Sequence, residues 1–375
     1  MKLAIISHTE HYLSKGGSVV GWGPTISELN YLADSFDTIY HIAFLHKATP
    51  PPSSLPYTSS NIIFIPLPPS GGRTLMAKLS VLSRLPKTLS IIHKTLKEVD
   101  AFQFRTPVGI GVYLIPWLTL FTKKKGWYKY AGNWKQESPP LGYALQRWML
   151  KKQARNVTIN GKWSDQPDHC LTFENPCLSL EEREEGKKFI LSKSYEGPFS
   201  FCFVGRLEDE KGVQRIIDAF GALSSKDRIG TIHFVGNGQK MEHYKEESRR
   251  LGVPAVFHGF LSRNEVFDLY RQCRFLLLPS TASEGFPKVI AEGMNYGCIP
   301  IVSKVSSIGQ YITSDNGYIV NPVNGNQLHT ILEGILEEKE VALKEKAVLG
   351  YDVASSFTFE HYKERILGEI LGLDN

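Results

Sequence analysis

The sequence is poor in cysteine, methionine and tryptophan, with 5, 5 and 6 of them in 375 residues. The cysteines (Cys170, Cys177, Cys202, Cys273, Cys298) are odd in number and form no C-x-x-C pair, so neither a zinc site nor a disulfide framework follows. Three lie in apolar runs and read as small core residues, and a reducing compartment is expected. Long apolar runs are missing too. The stretch without a charged side chain that comes nearest to a continuous apolar run is Thr106–Thr122, 17 residues interrupted by Pro107 and Pro116. That falls short of the roughly 20 residues a spanning helix needs, and the stretch reads as a buried helix following a strand. Met1–Ser7 is too short for the apolar region of a signal peptide and has no cleavage site. No repeat and no low-complexity tract occurs apart from the proline-rich loop Pro50–Pro56. With 42% hydrophobic and 22% charged residues, disorder, collagen and coiled coil are excluded.

The length suits two domains. The net charge of +5 is unremarkable, but its distribution is not. Gly71–Arg155 holds 16 Lys and Arg against Glu98, Asp100 and Glu137, an excess of 13 that leaves the remainder at −8. A basic first half suits a polyanionic partner or an anionic membrane surface. No aromatic-basic module points to nucleic acid.

Short β-like runs alternate with helical segments in both halves, which predicts parallel sheets covered on both faces. The charged segment Leu178–Gly197 breaks the alternation and ends at the turn Gly197-Pro198. The predicted organisation is therefore a first Rossmann-like domain over residues 1–177, a linker over 178–197 and a second Rossmann-like domain over 198–353. A C-terminal helix over 354–375 crosses back to the first domain. Doubly wound sheets bind ligands at the carboxyl ends of their strands, so the expected site is a cleft between two facing domains.

Four pieces carry chemistry. Gly205-Arg206-Leu207 and Lys211-Gly212 follow a buried strand; a planar guanidinium and an ammonium near a helix start read as a diphosphate clamp. Val235-Gly236-Asn237-Gly238 also follows a strand, but Met241 stands where a dinucleotide fingerprint needs its third glycine. A nicotinamide dehydrogenase is not supported, and the glycines read as a tight turn near a ligand. Glu284-Gly285-Phe286-Pro287 leads to Glu292, eight residues after Glu284; as helix that spacing is roughly 12 Å, about one diphosphate between two sugars. Pro287 suits a first helical turn, and the Gly285 and Phe286 amides are candidates to face anionic oxygens. Ala291, Gly293 and Met294 suggest close packing, so an ionised Glu292 needs a partner. Lastly, Lys15-Gly16-Gly17 follows the first strand, where a backbone without Cβ can approach a phosphate, and Gly21-Trp22-Gly23-Pro24 reads as a flexible approach to a helix. The acidic run Glu208-Asp209-Glu210 reads as a solvated turn, and no metal-ligand cluster is evident.

In this order the pieces resemble the family 4 retaining glycosyltransferases. The signature is the E-x7-E segment from Glu284 to Glu292, continued to Pro300, with Gly205-Arg206-Leu207, Lys211-Gly212, His258-Gly259-Phe260 and Asn316-Gly317-Tyr318-Ile319-Val320 in support. The resemblance is strongest over about Phe199–Pro322. Gly21–Pro24 and Tyr130-Ala131-Gly132-Asn133-Trp134 are similar to members that build bacterial surface polysaccharide. The resemblance implies the two-domain GT-B fold and transfer of a sugar from a nucleotide diphosphate sugar, with no further cofactor and no metal. It places Arg206 and Lys211 on the diphosphate, Glu292 on the ribose and Glu284 on the donor sugar beside Gly285, Phe286 and Pro287. It also places Gly205 and Gly236 in the nucleotide site, Phe260 and Leu261 near the base, and Gly16 and Gly17 on the diphosphate from the first domain. The acceptor would be a saccharide or lipid-linked saccharide, and the location cytoplasmic, peripheral on the inner face of the membrane. Relatives carry a histidine near Asn133; here Asn133 can hydrogen-bond sugar but cannot titrate, which leaves Arg105, His8 and His11 as acceptor-side candidates. A non-catalytic nucleotide-sugar-binding subunit is the alternative.

Overall fold

The computed structural model describes residues 1–72, 74–321 and 323–373. Arg73 of the basic tract, Pro322 at the end of the resemblance and the last two residues of the C-terminal segment lie outside them. The chain divides into two compact units, residues 1–175 with 361–375, and residues 176–360.

The first unit contains strands β1 (Lys2–Leu13), β2 (Val19–Trp22), β3 (Thr38–Leu45), β4 (Ser54–Pro56), β5 (Ile62–Leu67), β6 (Ala101–Thr106), β7 (Lys125–Tyr130), β8 (Val157–Ile159) and β9 (Cys170–Thr172). Its parallel core runs β5-β3-β1-β6-β7-β8-β9. Strand order reverses between β1 and β6. Both sheet faces are apolar: Ala4, Ile6, Phe102 and Tyr128 pack on one side, and Leu3, Ile5, Ala101 and Trp127 on the other. Such two-sided burial is why these strands read as continuous apolar runs. Tyr362, Ile366 and Ile370 of the C-terminal segment join the second of these clusters.

Two expectations change here. The first strand does not stop near Ser7 but continues past a register shift between Ile6 and Glu10 to Leu13. Gly21-Trp22 is not a flexible approach to the helix but part of β2, paired antiparallel with His11–Leu13. A four-residue strand containing glycine carries too little alternation to be read from sequence, and the hairpin supplies what propensity lacks.

The second unit has six parallel strands: β10 (Phe199–Val204), β11 (Ile229–Val235), β12 (Ala255–Gly259), β13 (Phe275–Leu278), β14 (Ile299–Ser303) and β15 (Tyr318–Val320). Their order, β12-β11-β10-β13-β14-β15, is that of a doubly wound nucleotide-binding sheet, with its switch point between β10 and β13. The segment 178–197 is no separate linker. Its helix, Leu180–Ser192, opens with a Ser179/Glu182 capping box and buries Arg183, Gly186 and Ile190 within the second unit. Gly186 has no room for a Cβ, which would lie 2.2 Å from the Asn295 carbonyl. The charged face that marked the segment as a connector is simply its solvent side. The boundary falls at Asn175/Pro176 instead of Gly197-Pro198.

Candidate functional site

The candidate site lies on the carboxyl edge of the second sheet, where the loops after β10 and β13 meet at the switch point. The two loops are bonded to each other: the Glu210 carbonyl accepts from the Thr281 amide at 2.7 Å and from Ser280 Oγ at 3.1 Å. Gly212 sits at φ +95°, and a Cβ there would lie 2.5 Å from the Pro279 carbonyl, so only glycine serves. Neighbouring loops continue this rim. Leu207 N donates to the Asn237 carbonyl at 3.0 Å, and Gly236 N to that of Gly259 at 2.7 Å. Gly236, at φ +127°, has the Gly205 carbonyl where a Cβ would be. The glycines of Gly236-Asn237-Gly238 thus let one loop lie directly on the next.

On this rim Lys211 is buried and its ammonium donates to Glu284 Oε1, joining the loop after β10 to the one after β13. The Glu284 side chain remains 42% exposed. Arg206 projects into solvent, 3.2 Å from Glu208. The run Glu208-Asp209-Glu210 is not merely solvated: Asp209 accepts from Lys240 and, at 2.7 Å, from the Tyr244 hydroxyl. Those bonds hold its carboxyl below the usual range and anchor the turn that carries Lys211. Phe260 is half exposed after β12, whereas Leu261 packs on the core.

Glu292 lies on the helix Lys288–Asn295 and is 9% exposed. The Glu284–Glu292 segment is not eight helical residues; the helix starts after Pro287, which occupies the capping position with extended backbone. Phe286 is a core side chain, stacked on Phe357 at 4.5 Å, so only its backbone remains for a ligand. The partner that a buried Glu292 requires is Arg263, whose Nη1 donates to Oε1 at 2.9 Å. Sequence reasoning missed this residue. The signal for a partner was the small, packed neighbours of Glu292, but nothing in the sequence pointed 29 residues upstream.

The remaining predicted residues belong to the first unit. Gly16 and Gly17 occupy the tip of the β1–β2 hairpin, closed by Gly17 N to the Ser14 carbonyl at 2.9 Å. Asn133 lies in the loop after β7, its Oδ1 accepting from Lys135 N at 2.9 Å. Arg105 is no open acceptor-side group: it is buried, donating to Glu28 at 2.7 Å and Gln103 at 2.8 Å, and Lys129 donates to both Glu28 oxygens at 2.9 Å. His11 is likewise occupied. Its Nδ1 faces the Thr9 carbonyl at 3.0 Å, an acceptor only, so the proton sits on Nδ1. Nε2 then accepts from Tyr57 at 2.8 Å and Tyr57 from His41 Nδ1 at 2.7 Å, while His41 Nε2 lies 2.9 Å from the Ser7 hydroxyl. Burial pushes His11 down to about 4 and His41 well below its usual value, which keeps both neutral. His8 stays exposed on β1. Among the described residues no group of three or more His, Cys, Asp or Glu could hold a metal ion.

Residues 185–348, inside the second unit, match the family described as glycosyl transferases group 1. This segment is a group 1 glycosyl transferase domain. The chain has a curated relative in the lipopolysaccharide 1,6-galactosyltransferase of Salmonella typhimurium, 36% identical over 110 residues, 28% of this chain and 30% of the relative. The lipopolysaccharide glucosyltransferase WaaG of Escherichia coli is 28% identical over 142 residues, 37% of this chain and 38% of the relative. The chain thus spans about a third of the length of these relatives. The Anabaena HepE protein, solved in complex with UDP, superposes over 100% of both chains with a TM-score of 0.72 at 17% identity. That likeness shows the fold: GT-B, with two Rossmann-like units.

Proposed function

We propose that the protein is a family 4 retaining glycosyltransferase that moves a sugar from a nucleotide diphosphate sugar to an acceptor hydroxyl without a metal ion. The observation that carries the reading is the Lys211–Glu284 pair bridging the switch point beside Arg206. Charge develops on the leaving diphosphate during such a transfer, and cations already in place stabilise it most where it develops. Arg206 and Lys211 take that role, and the backbone of Gly205 and Gly236 shapes the same rim. Glu284 accepts from the donor sugar, Glu292 from the two ribose hydroxyls, and Phe260 and Leu261 meet the base. Gly16, Gly17 and Asn133 of the first unit are assigned to the diphosphate and the acceptor by resemblance. Same-face attack, with the leaving phosphate taking the acceptor's proton, accounts for retention without a protein nucleophile.

Lys211→Ala is expected to lower kcat by roughly 10²–10³. Glu284→Ala lowers mainly kcat, whereas Glu292→Ala raises the Kd of the free nucleoside diphosphate. Kinetics with a panel of nucleotide sugars, and calorimetry with the matching diphosphates, separate these effects. Nucleotide binding without donor hydrolysis or transfer to any acceptor favours the non-catalytic binding subunit instead.

The acceptor is proposed to be a lipid-linked saccharide of surface polysaccharide, reached at the inner face of the membrane. No helix of the described residues is long and apolar enough to cross a membrane. The first unit nevertheless exposes Leu120, Phe121, Leu141 and Trp148 on its helices, among exposed Lys87, Lys94 and Lys123. Lys124 and Lys125 instead donate to the carbonyls of Val99 and Leu371. A basic residue near anionic lipid is worth about 1 kcal/mol. Reversing Lys87, Lys94 and Lys123 to Glu is expected to abolish sedimentation with anionic vesicles; unchanged sedimentation rejects the membrane assignment.

A further inference from the structure

Glu292 is held by a guanidinium that is itself tied to two other stretches of chain. Arg263 opens the helix Arg263–Gln272, which is fixed by a Ser262/Glu265 capping box. Its Nε donates to Glu182 Oε1 at 3.1 Å, its Nη1 to Glu292 Oε1 at 2.9 Å, and its Nη2 to Glu182 Oε2 at 2.9 Å and to the Cys177 carbonyl. The guanidinium plane lies 4.3 Å from the Phe267 ring, one turn along the same helix. Its Nε, one Nη1 and both Nη2 donor directions therefore have destinations on three separate stretches of chain, and the group is restrained in one orientation. Burial opposes its charge, but Glu292 and Glu182 outweigh that and hold it above its ordinary range.

We infer that Arg263 is a positioning residue for nucleotide binding, locking the Glu292 carboxylate in the orientation that accepts a ribose diol. The inference rests on the role proposed above for Glu292. Each carboxylate oxygen accepts in two directions. With one direction of Oε1 taken by Arg263, the second direction of Oε1 and those of Oε2 match the two adjacent hydroxyls of a ribose. One cation set between two carboxylates also leaves the cluster net negative, so Glu292 remains an acceptor. Without Arg263 the carboxylate must be ordered at the moment of binding, and that cost falls on affinity. Lysine cannot replace it: a point charge cannot serve Glu182, Glu292 and Cys177 in one plane.

The test is a double-mutant cycle read by calorimetry with UDP, GDP and ADP, with the unfolding midpoint of each variant recorded. Arg263→Ala is expected to weaken the tightest-binding diphosphate about tenfold in the native background and less than about twofold in a Glu292→Ala background. Arg263→Lys, which keeps the charge and secures a folded comparison, should recover the unfolding midpoint but not the affinity. An equal loss in both backgrounds, or full affinity in Arg263→Lys, overturns the inference and leaves Arg263 a structural residue. Unchanged affinity in Glu292→Ala alone overturns the role of Glu292 instead. Failure of all three diphosphates to bind the native protein overturns the proposed function and this inference with it.

Discussion

The two units share a doubly wound plan, but they use charged groups at their switch points in opposite ways. In the first, the single carboxylate Glu28 accepts from both Arg105 and Lys129 in the interior, with the Tyr362 hydroxyl 3.2 Å from the Lys129 ammonium. The polar chain from Ser7 through His41 and Tyr57 to His11 is likewise closed on itself. In the second, Arg206 and Glu284 stay at the surface, and Lys211 is turned toward Glu284 rather than into the core. Buried charge tied into ion pairs holds a scaffold; charge kept at the rim is available to a ligand. The same residue types thus serve different ends according to whether the sheet edge closes over them.

The contrast can be broken, and the largest effect is expected in the first unit. Glu28→Ala leaves Arg105 and Lys129 buried without their carboxylate, which should cost about 3–5 kcal/mol. The measurement is the first urea transition, since two units need not unfold together. A loss below about 1 kcal/mol would mean that the triad is hydrated and the contrast false. Next comes pH. Neutral His11, at about 4 when folded against 6.5 in the unfolded chain, takes up its proton in the unfolded state first. Its contribution is therefore present above pH 6.5 and lost as pH falls toward 4, about 3 kcal/mol in all. His41 acts in the same direction. The urea midpoint should fall over that interval, and His11→Gln should flatten the slope. The smallest effect belongs to the rim. Arg206 is 66% exposed, so Arg206→Ala should change stability by less than about 0.5 kcal/mol while turnover drops. A large loss of stability would place Arg206 with the scaffold rather than the site.

Much of this was legible in the chain itself. The strands Thr38–Leu45, Ala101–Thr106, Val157–Ile159 and Phe199–Val204 are among the short β-like runs whose alternation with helical segments predicts the parallel sheets. Arg206, Lys211 and Glu284 share one rim because each lies in the loop that follows a strand, and parallel strands present their ends together. Other features left no pattern to read. The hairpin strand Val19–Trp22 is short and contains glycine, the helix Leu180–Ser192 shows a charged face, and Arg105 and His11 resemble any loop-proximal cation or imidazole.

The sequence by itself determined which segments become the core strands and most helices, that the cores of both sheets are parallel, and which residues follow those strands with charge and glycine, because periodicity and turn chemistry act over a few neighbours. Only the tertiary structure decided which charges are spent internally. Arg263 meets Glu292, and Glu28 meets Arg105 and Lys129, across 29, 77 and 101 residues. Pairing at that range depends on which helix faces which strand once the core has closed, and no local rule carries that information.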